Sequence, residues 1–207
     1  MKFNNIFFYI FLIGLASCMD SSNYYYRGIE KNKSGDFQGA IKDYSKAISL
    51  DSSFIDAYRR RGKNNFFLGD INGALVDYAK AIEIYPKNSY SYSTYYDRGL
   101  LKLELNEYQG AIDDFTESIK NEPDSDWNSY AKRGLAKYHL KNYISAIDDC
   151  NKAIEIAKHW GYPYYIRGII KIKIKKTESG CKDLHKAIEE NTYDGQNCRD
   201  SIQKYCK

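Results

Sequence analysis

A short pattern, Tyr-x-x-Arg-Gly, occurs five times in this chain of 207 residues. Its glycines are Gly28, Gly62, Gly99, Gly134 and Gly168, so successive copies begin 34, 37, 35 and 34 residues apart. Twelve residues after each glycine stands a second small residue: Ala40, Ala74, Ala111, Ala146 and Gly180. A period of this length is typical of stacked helical pairs, because one pair alone is too small to bury both faces of its helices. The chain is therefore predicted to be all-α and built from helix-turn-helix units.

The small residues predict close contact between the two helices of each unit. Glycine in the first helix opposite alanine in the second lets the two backbones approach closely. Four positions after each second small residue stands a residue that is large in four of the five repeats: Tyr44, Tyr78, Phe115, Cys150 and Leu184. We expect these side chains to fill the space beside the contact.

The large residue, glycine, alanine and aromatic residue at fixed offsets resemble the tetratricopeptide repeat, a 34-residue pair of antiparallel helices. The resemblance implies five units, at residues 21–54, 55–88, 92–125, 127–160 and 161–194. It further implies that residues 21–194 form a right-handed superhelical solenoid. Residues 195–207 are predicted to form a C-terminal capping helix.

Two charged residues recur with the same period. Arginine precedes each motif glycine, where the family usually has leucine, and these residues are Arg27, Arg61, Arg98, Arg133 and Arg167. Every predicted second helix carries an aspartate: Asp43, Asp77, Asp114, Asp149 and Asp183. The shared period predicts one structural Arg–Asp pair in each repeat. These five pairs are hereafter called the Arg–Asp ladder.

The amino terminus has the three-part organisation of a secretory signal. Lys2 precedes the apolar run Ile6–Leu15, which is shorter than the ~20 residues that cross a bilayer. The small residues before Cys18 resemble a bacterial lipobox, which implies a signal peptide at 1–17 and a lipidated segment at 18–20. In some bacteria, an aspartate directly after the lipidated cysteine retains a lipoprotein at the inner membrane, whereas here Met19 stands at that position. We therefore predict lipid anchoring at the bacterial cell envelope, with the outer membrane favoured, facing the periplasm or the surface. An ordinary signal peptide with an incidental cysteine is the alternative.

Charge and motif content argue against several functional classes. The net charge of +4 is small and the charged residues are interspersed, so binding to nucleic acid is not expected. The chain lacks Gly-x-Ser-x-Gly, His-Glu-x-x-His and phosphate-binding glycine loops, and has only three histidines. We expect neither catalysis nor a cofactor nor a small-molecule substrate.

In the tetratricopeptide family, partners generally lie along a concave surface formed by the first helix of each unit. The resemblance places there Tyr25, Arg59, Lys63, Phe66, Tyr96, Tyr138, His139 and Tyr165, together with Ile29, Asp56, Phe67, Leu100, Leu135, Tyr162 and Ile169. We predict that this surface binds a peptide or a partner helix, since aromatic rings supply contact area at low entropic cost. Some of these rings could instead pack only between helices. The Lys, Asn and Arg set with which some members clamp a terminal carboxylate is not matched.

The cysteines beyond Cys18 fall in the last two units and the cap. Cys150 takes the place of a large core residue and is expected to be buried. Antiparallel helices about a turn near Tyr193 would place Cys181 opposite Cys206, so a disulfide is predicted there, with Cys198 as a competitor. Two other readings stay open. Cys181, His185 and Cys198 could form a metal or catalytic site, or the chain could be a purely structural spacer.

Overall fold

The computed structural model describes residues 20–86, 89–120, 123–190 and 195–206. These residues contain eleven α-helices and no strand. The helices are α1 (Ser21–Lys33), α2 (Phe37–Leu50), α3 (Ile55–Phe67), α4 (Ile71–Ile84), α5 (Ser89–Glu104), α6 (Tyr108–Ile119), α7 (Trp127–His139), α8 (Tyr143–Ile156), α9 (Gly161–Lys173), α10 (Thr177–Glu189) and α11 (Gln196–Tyr205). The predicted signal peptide and Cys18 lie outside the described residues.

The chain divides into two compact units, one through Ile84 and the other from Tyr85. In the first unit, each helix from α1 to α4 packs against the next. In the second, the same succession runs from α5 to α11. The predicted fold class, all-α with helix-turn-helix repeats packed in succession, is confirmed. α5 begins at Ser89, so this helix includes the three residues that the spacing left between the second and third repeats.

The predicted contacts between paired helices are present in both units. A Cβ atom placed on Gly28 would lie 2.6 Å from Cε1 of Tyr44, and one on Gly99 would lie 2.9 Å from Cε1 of Phe115. Both rings are fully buried. The motif glycine is therefore required by the aromatic residue that packs over it.

Turns between the first and second helices of the repeats pass through the left-handed region. Gly35 and Gly69 have φ of 85° and 84°, whereas Asn106, Lys141 and Lys175 have φ between 61° and 64°. This conformation costs a residue with a Cβ atom about 1–2 kcal/mol. Glycine and asparagine are common at such positions, but nothing in the sequence signals the two lysines.

All five predicted Arg–Asp pairs form, and all have the same geometry. Nε and Nη2 of each arginine donate to the two carboxylate oxygens of its aspartate. The aspartates are only 2–6% exposed. The hydrogen bond from Arg27 lowers the pKa of Asp43. The stability from that pair is therefore complete above the ordinary carboxylate pKa of about 4, and it is lost as the pH falls through the lowered value.

Further contacts join each pair to its surroundings. A second donor reaches each aspartate from one turn further along the first helix: Lys31, Asn65, Lys102, Lys137 and Lys171. Each arginine also lies over the tyrosine of its own motif, with Cζ 4.8–5.6 Å from the ring centroid. Nη1 of Arg61, Arg133 and Arg167 donates to Ser45, Thr116 and Asn151 on the preceding helix. The ladder therefore connects neighbouring repeats as well as the two helices of one repeat.

We expect Gly180→Ala to destabilise the second unit by about 1–3 kcal/mol. A Cβ atom there would lie 2.7 Å from Cγ1 of Ile172 and 2.8 Å from the backbone oxygen of Gly168, which cannot move without shifting α9. This clash outweighs the gain of about 1 kcal/mol in helix propensity. Urea unfolding followed by circular dichroism measures the change. Ser179→Ala at the exposed neighbouring position is the control, and equal midpoints for the two variants would contradict the prediction.

Candidate functional site

A cavity of about 400 Å³ lies between α7, α9 and α11 in the second unit. Its lining consists mainly of aromatic and aliphatic side chains, contributed by Leu135, Tyr138, His139, Tyr162, Tyr165, Ile166, Ile169 and Asn197. One lining residue, Ile166, also belongs to a buried cluster with Ala146, Cys150 and Ile170. The cavity is hereafter called the α7–α9 pocket.

Helical spacing explains why these side chains face the same space. On α7, Leu135, Tyr138 and His139 occur at i, i+3 and i+4, so they share one face. The residues contributed by α9, from Tyr162 to Ile169, recur at the same spacing. The small residues Gly134 and Gly168 face α8 and α10 instead, where they allow close packing. Each first helix thus has one face for its own partner helix and another for the pocket.

The rim of the pocket at the end of α7 is aromatic. The His139 ring stacks on Tyr108 with centroids 4.5 Å apart and planes 2° apart, and it meets Tyr138 edge-on at 5.4 Å. Partial burial lowers the pKa of His139, which favours the neutral imidazole. This part of the rim offers flat, uncharged surfaces to a ligand.

One charged side chain lies at the other end of this face. Lys132 stands one turn before Leu135 on α7, and its Nζ is 3.2 Å from Oη of Tyr162, which lines the pocket. The same Nζ lies 4.4 Å from the centroid of the Tyr162 ring. Burial lowers the pKa of Lys132, while the charge of Glu104 acts in the opposite direction.

Three of the eight predicted groove residues, Tyr138, His139 and Tyr165, line the α7–α9 pocket. Leu135, Tyr162 and Ile169, predicted beside them, do so too. Tyr96 packs against Phe115, with ring centroids 5.9 Å apart, and burial raises its pKa to about 12.

The predicted groove residues of the first unit lie in varied surroundings. Tyr25 is 8% exposed, packs against Phe54 and accepts a hydrogen bond of 2.8 Å from Nε of Arg60. It belongs to the core and offers almost no surface to a ligand. Arg59 lies 3.5 Å from the carboxylate of Asp56. Lys63 is exposed and Phe66 is half-buried.

The sequence reasoning did not identify three residues of this region. Ile166 and Lys132 occupy repeat positions that were not assigned to the groove, although helical spacing from Leu135 could have found Lys132. Asn197 belongs to α11, for which only a capping role was predicted, and no signal in the sequence points to it.

The cysteines are placed as follows. A disulfide joins Cys181 to Cys206, with Cα atoms 5.6 Å apart, as the sequence predicts. Cys198 is fully buried and its Sγ donates to the carbonyl oxygen of Leu184 at 3.2 Å. His185 Nδ1 lies 2.8 Å from the carbonyl oxygen of Cys181. Cys150 is also buried, and burial raises its thiol pKa to about 12.

The alternative site at Cys181, His185 and Cys198 is not assembled in this arrangement, because one thiol is oxidised and another faces the core. Within 20–86, 89–120, 123–190 and 195–206, no group of three or more His, Cys, Asp or Glu side chains is placed to hold a metal ion.

Comparison with family models identifies three stretches of the chain. Residues 30–66 match a model described as TPR repeat. Residues 92–125 and 128–159 match a model described as Tetratricopeptide repeat. A comparison with curated protein sequences finds no match.

Solved structures share the fold over most of the chain. A crystal structure of MamA is 24% identical, with a TM-score of 0.73, and the alignment covers 90% of this chain and 96% of that one. MamA from Desulfovibrio magneticus RS-1 is 15% identical, with a TM-score of 0.75 and coverage of 85% and 97%. YrrB, described as a TPR protein with an unusual peptide-binding site, is 18% identical, with a TM-score of 0.73 and coverage of 90% and 94%.

Proposed function

Since this chain is a tetratricopeptide repeat protein, we propose that it is a non-catalytic scaffold that binds a partner protein through an extended peptide or a helix. The observation that carries this proposal is the α7–α9 pocket. Six groove positions of the fourth and fifth repeats meet around one cavity of about 400 Å³. Cavities with a mostly apolar lining and a few polar groups are the usual form of a binding site.

The similarity to YrrB supports a peptide as the ligand, because that tetratricopeptide protein has a peptide-binding site. The aromatic rings of the pocket support it as well. Tyrosine combines a large contact area with few rotatable bonds, so ordering it on binding costs little entropy.

Leu135→Glu is expected to abolish partner binding, because it places a charge among the apolar side chains of the pocket. The experiment is cross-linking in the native cells followed by mass spectrometry. In the wild type, we expect fragments of this protein that contain pocket residues to be cross-linked to a defined partner. In the Leu135→Glu variant, the yield of these cross-links should fall at least tenfold.

Ile144→Glu is the matched control, since Ile144 lies on α8, is 79% exposed and does not line the pocket. It introduces the same charge and should leave the cross-links unchanged. Circular dichroism of both variants checks that they fold. Equal cross-link yields for the two folded variants would refute the proposed site.

The second part of the proposed function is attachment of the scaffold to the bacterial envelope through lipid on Cys18, with the outer membrane favoured. The lipobox-like sequence before Cys18 supports this. α1 begins at Ser21, three residues after that cysteine, with Asp20 as its N-cap, so the repeats would lie close to the membrane. Each buried methylene of an acyl chain contributes ~0.8 kcal/mol, so two or three chains anchor a protein stably. None of the helices in the described part of the chain is long and apolar enough to span a membrane.

Cys18→Ser is expected to move the protein from the membrane fraction to the soluble fraction, because the thiol that carries the lipid is lost. Fractionation of cells and labelling with an alkyne-tagged fatty acid provide the two measurements. Met19→Ser keeps the thiol and should stay labelled and membrane-bound. Retention of the Cys18→Ser protein in the membrane fraction would contradict the anchor.

A further inference from the structure

Lys132 differs from the neighbouring lysines of the second unit in having no carboxylate partner in the described part of the chain. Lys102, Lys137 and Lys171 each lie 2.7–2.9 Å from a ladder aspartate. Among the described residues, no carboxylate oxygen lies within 4.0 Å of the Lys132 Nζ, whose contacts are the hydroxyl and the ring of Tyr162. Within the described ranges, a half-buried ammonium group is thus held beside the pocket by one aromatic residue.

Such an ammonium group has lost part of its hydration without gaining an ion pair. Burial lowers the pKa of Lys132, as expected when water is withdrawn from a cation. The face of the Tyr162 ring compensates in part, through its interaction with the cation. A carboxylate from a ligand would compensate far better, because charge-assisted hydrogen bonds are stronger than neutral ones.

Tyr162 connects this cation to the apolar cavity. Its hydroxyl and ring contact Lys132, and its side chain also lines the pocket. On α7, Lys132 and Leu135 lie one turn apart, about 5 Å along the helix axis. If an apolar side chain of a peptide ligand fills the pocket, a group that binds the Lys132 ammonium must therefore belong to the same residue of the ligand or to one a few residues away.

From this arrangement we propose that the α7–α9 pocket recognises a peptide segment in which a bulky apolar side chain stands next to a carboxylate, with Lys132 binding the carboxylate. The inference rests on the proposed function and specifies the chemistry of the partner. The carboxylate can belong to an aspartate or glutamate side chain or to a chain terminus, since both present the same two oxygens. Glu104 is the acidic residue whose charge acts on Lys132, and it would repel the ligand's carboxylate.

Selection from a random twelve-residue peptide library tests the proposal. One arm displays peptides with a free C-terminus, and the other displays them flanked by protein at both ends. We expect the wild type to enrich peptides with Phe, Leu, Ile or Met within three residues of a carboxylate. Enrichment in the first arm alone assigns the carboxylate to the terminus, and enrichment of Asp or Glu in both arms assigns it to side chains.

The Lys132→Met variant keeps an unbranched apolar chain but removes the charge. It should lose the preference for a carboxylate, retain the preference for an apolar residue, and bind a wild-type-selected peptide at least tenfold more weakly. Lys158→Met, at an exposed position of the same unit, is the matched control and should behave as the wild type.

The outcomes separate the two proposals. Selected peptides without a carboxylate preference, or a preference that survives in Lys132→Met, would overturn the role of Lys132 and leave the binding function standing. If the wild type enriches no peptides that the Leu135→Glu variant does not also enrich, both the role of Lys132 and the proposed binding function would be overturned.

Discussion

Replacement of Asp149 by asparagine is expected to lower the free energy of unfolding by about 3 kcal/mol. Asp149 is 5% exposed, and its carboxylate accepts hydrogen bonds of 2.9 and 2.7 Å from Arg133, while Nζ of Lys137 lies 2.7 Å away. Asparagine has nearly the same shape but no charge. It would leave two cations, each with a side chain only 16% exposed, without a counter-charge.

Urea unfolding followed by circular dichroism measures this loss. Asp148→Asn is the matched control, because Asp148 is the preceding residue on α8 and is exposed. Exposed substitutions of this kind usually change stability by less than about 0.5 kcal/mol. Similar losses for the two variants would show that the ladder contributes no more than an ordinary surface charge.

Removal of the disulfide is expected to have an effect of similar size. The double variant Cys181→Ala, Cys206→Ala should lose about 3 kcal/mol, the value expected for a cross-link that closes a loop of this length. The two cysteines are 25 residues apart, and the loop between them contains all of α11. A helix of 10 residues is marginal by itself, so α11 depends on the cross-link and on its packing against α10.

Hydrogen exchange shows where this loss occurs. We expect amides of α11 to exchange faster in the double variant, while those of α7 and α8 change little, because stability in repeat proteins is largely local. A reducing dithiol should produce the same pattern in the wild type and have no effect on the double variant. Unchanged protection of α11 in the double variant would contradict the prediction.

Periodicity made much of the fold predictable. The Arg–Asp ladder is the clearest case. Every repeat has an arginine and, 16 residues later, an aspartate, as in Arg133 and Asp149, and the two side chains meet in the same way in each repeat. The disulfide followed from the antiparallel arrangement of two helices. In contrast, Lys141 and Lys175 adopt positive φ at the turns, and nothing in the local sequence signals this conformation.

The pocket was only partly predictable, for a different reason. The family's groove positions placed Tyr138, His139 and Tyr165 on one surface. Helical spacing agrees, because each lies three or four positions from Leu135 or Tyr162 on the same helix and so shares a face with it. Asn197 came from a helix outside the repeats, whose position depends on packing rather than on period. Helical spacing from Leu135 could have placed Lys132 on the same face. Only the structure shows that no carboxylate of the described residues pairs with it.

By itself, the sequence determined which residues occupy equivalent positions: the motif glycines, the paired charges and the faces of the helices. The tertiary structure decided what each equivalent position does. Tyr25 and Tyr165 occupy the same place in the first and fifth repeats, yet Tyr25 is covered by Phe54 and Arg60 whereas Tyr165 lines the pocket. Likewise, alanine stands in four repeats where Gly180 stands in the fifth, and there a Cβ atom would meet Ile172. The repeat period in the sequence shows which residues are equivalent. The side chains that surround each residue in space determine whether it is buried, accessible or too crowded for one more carbon atom.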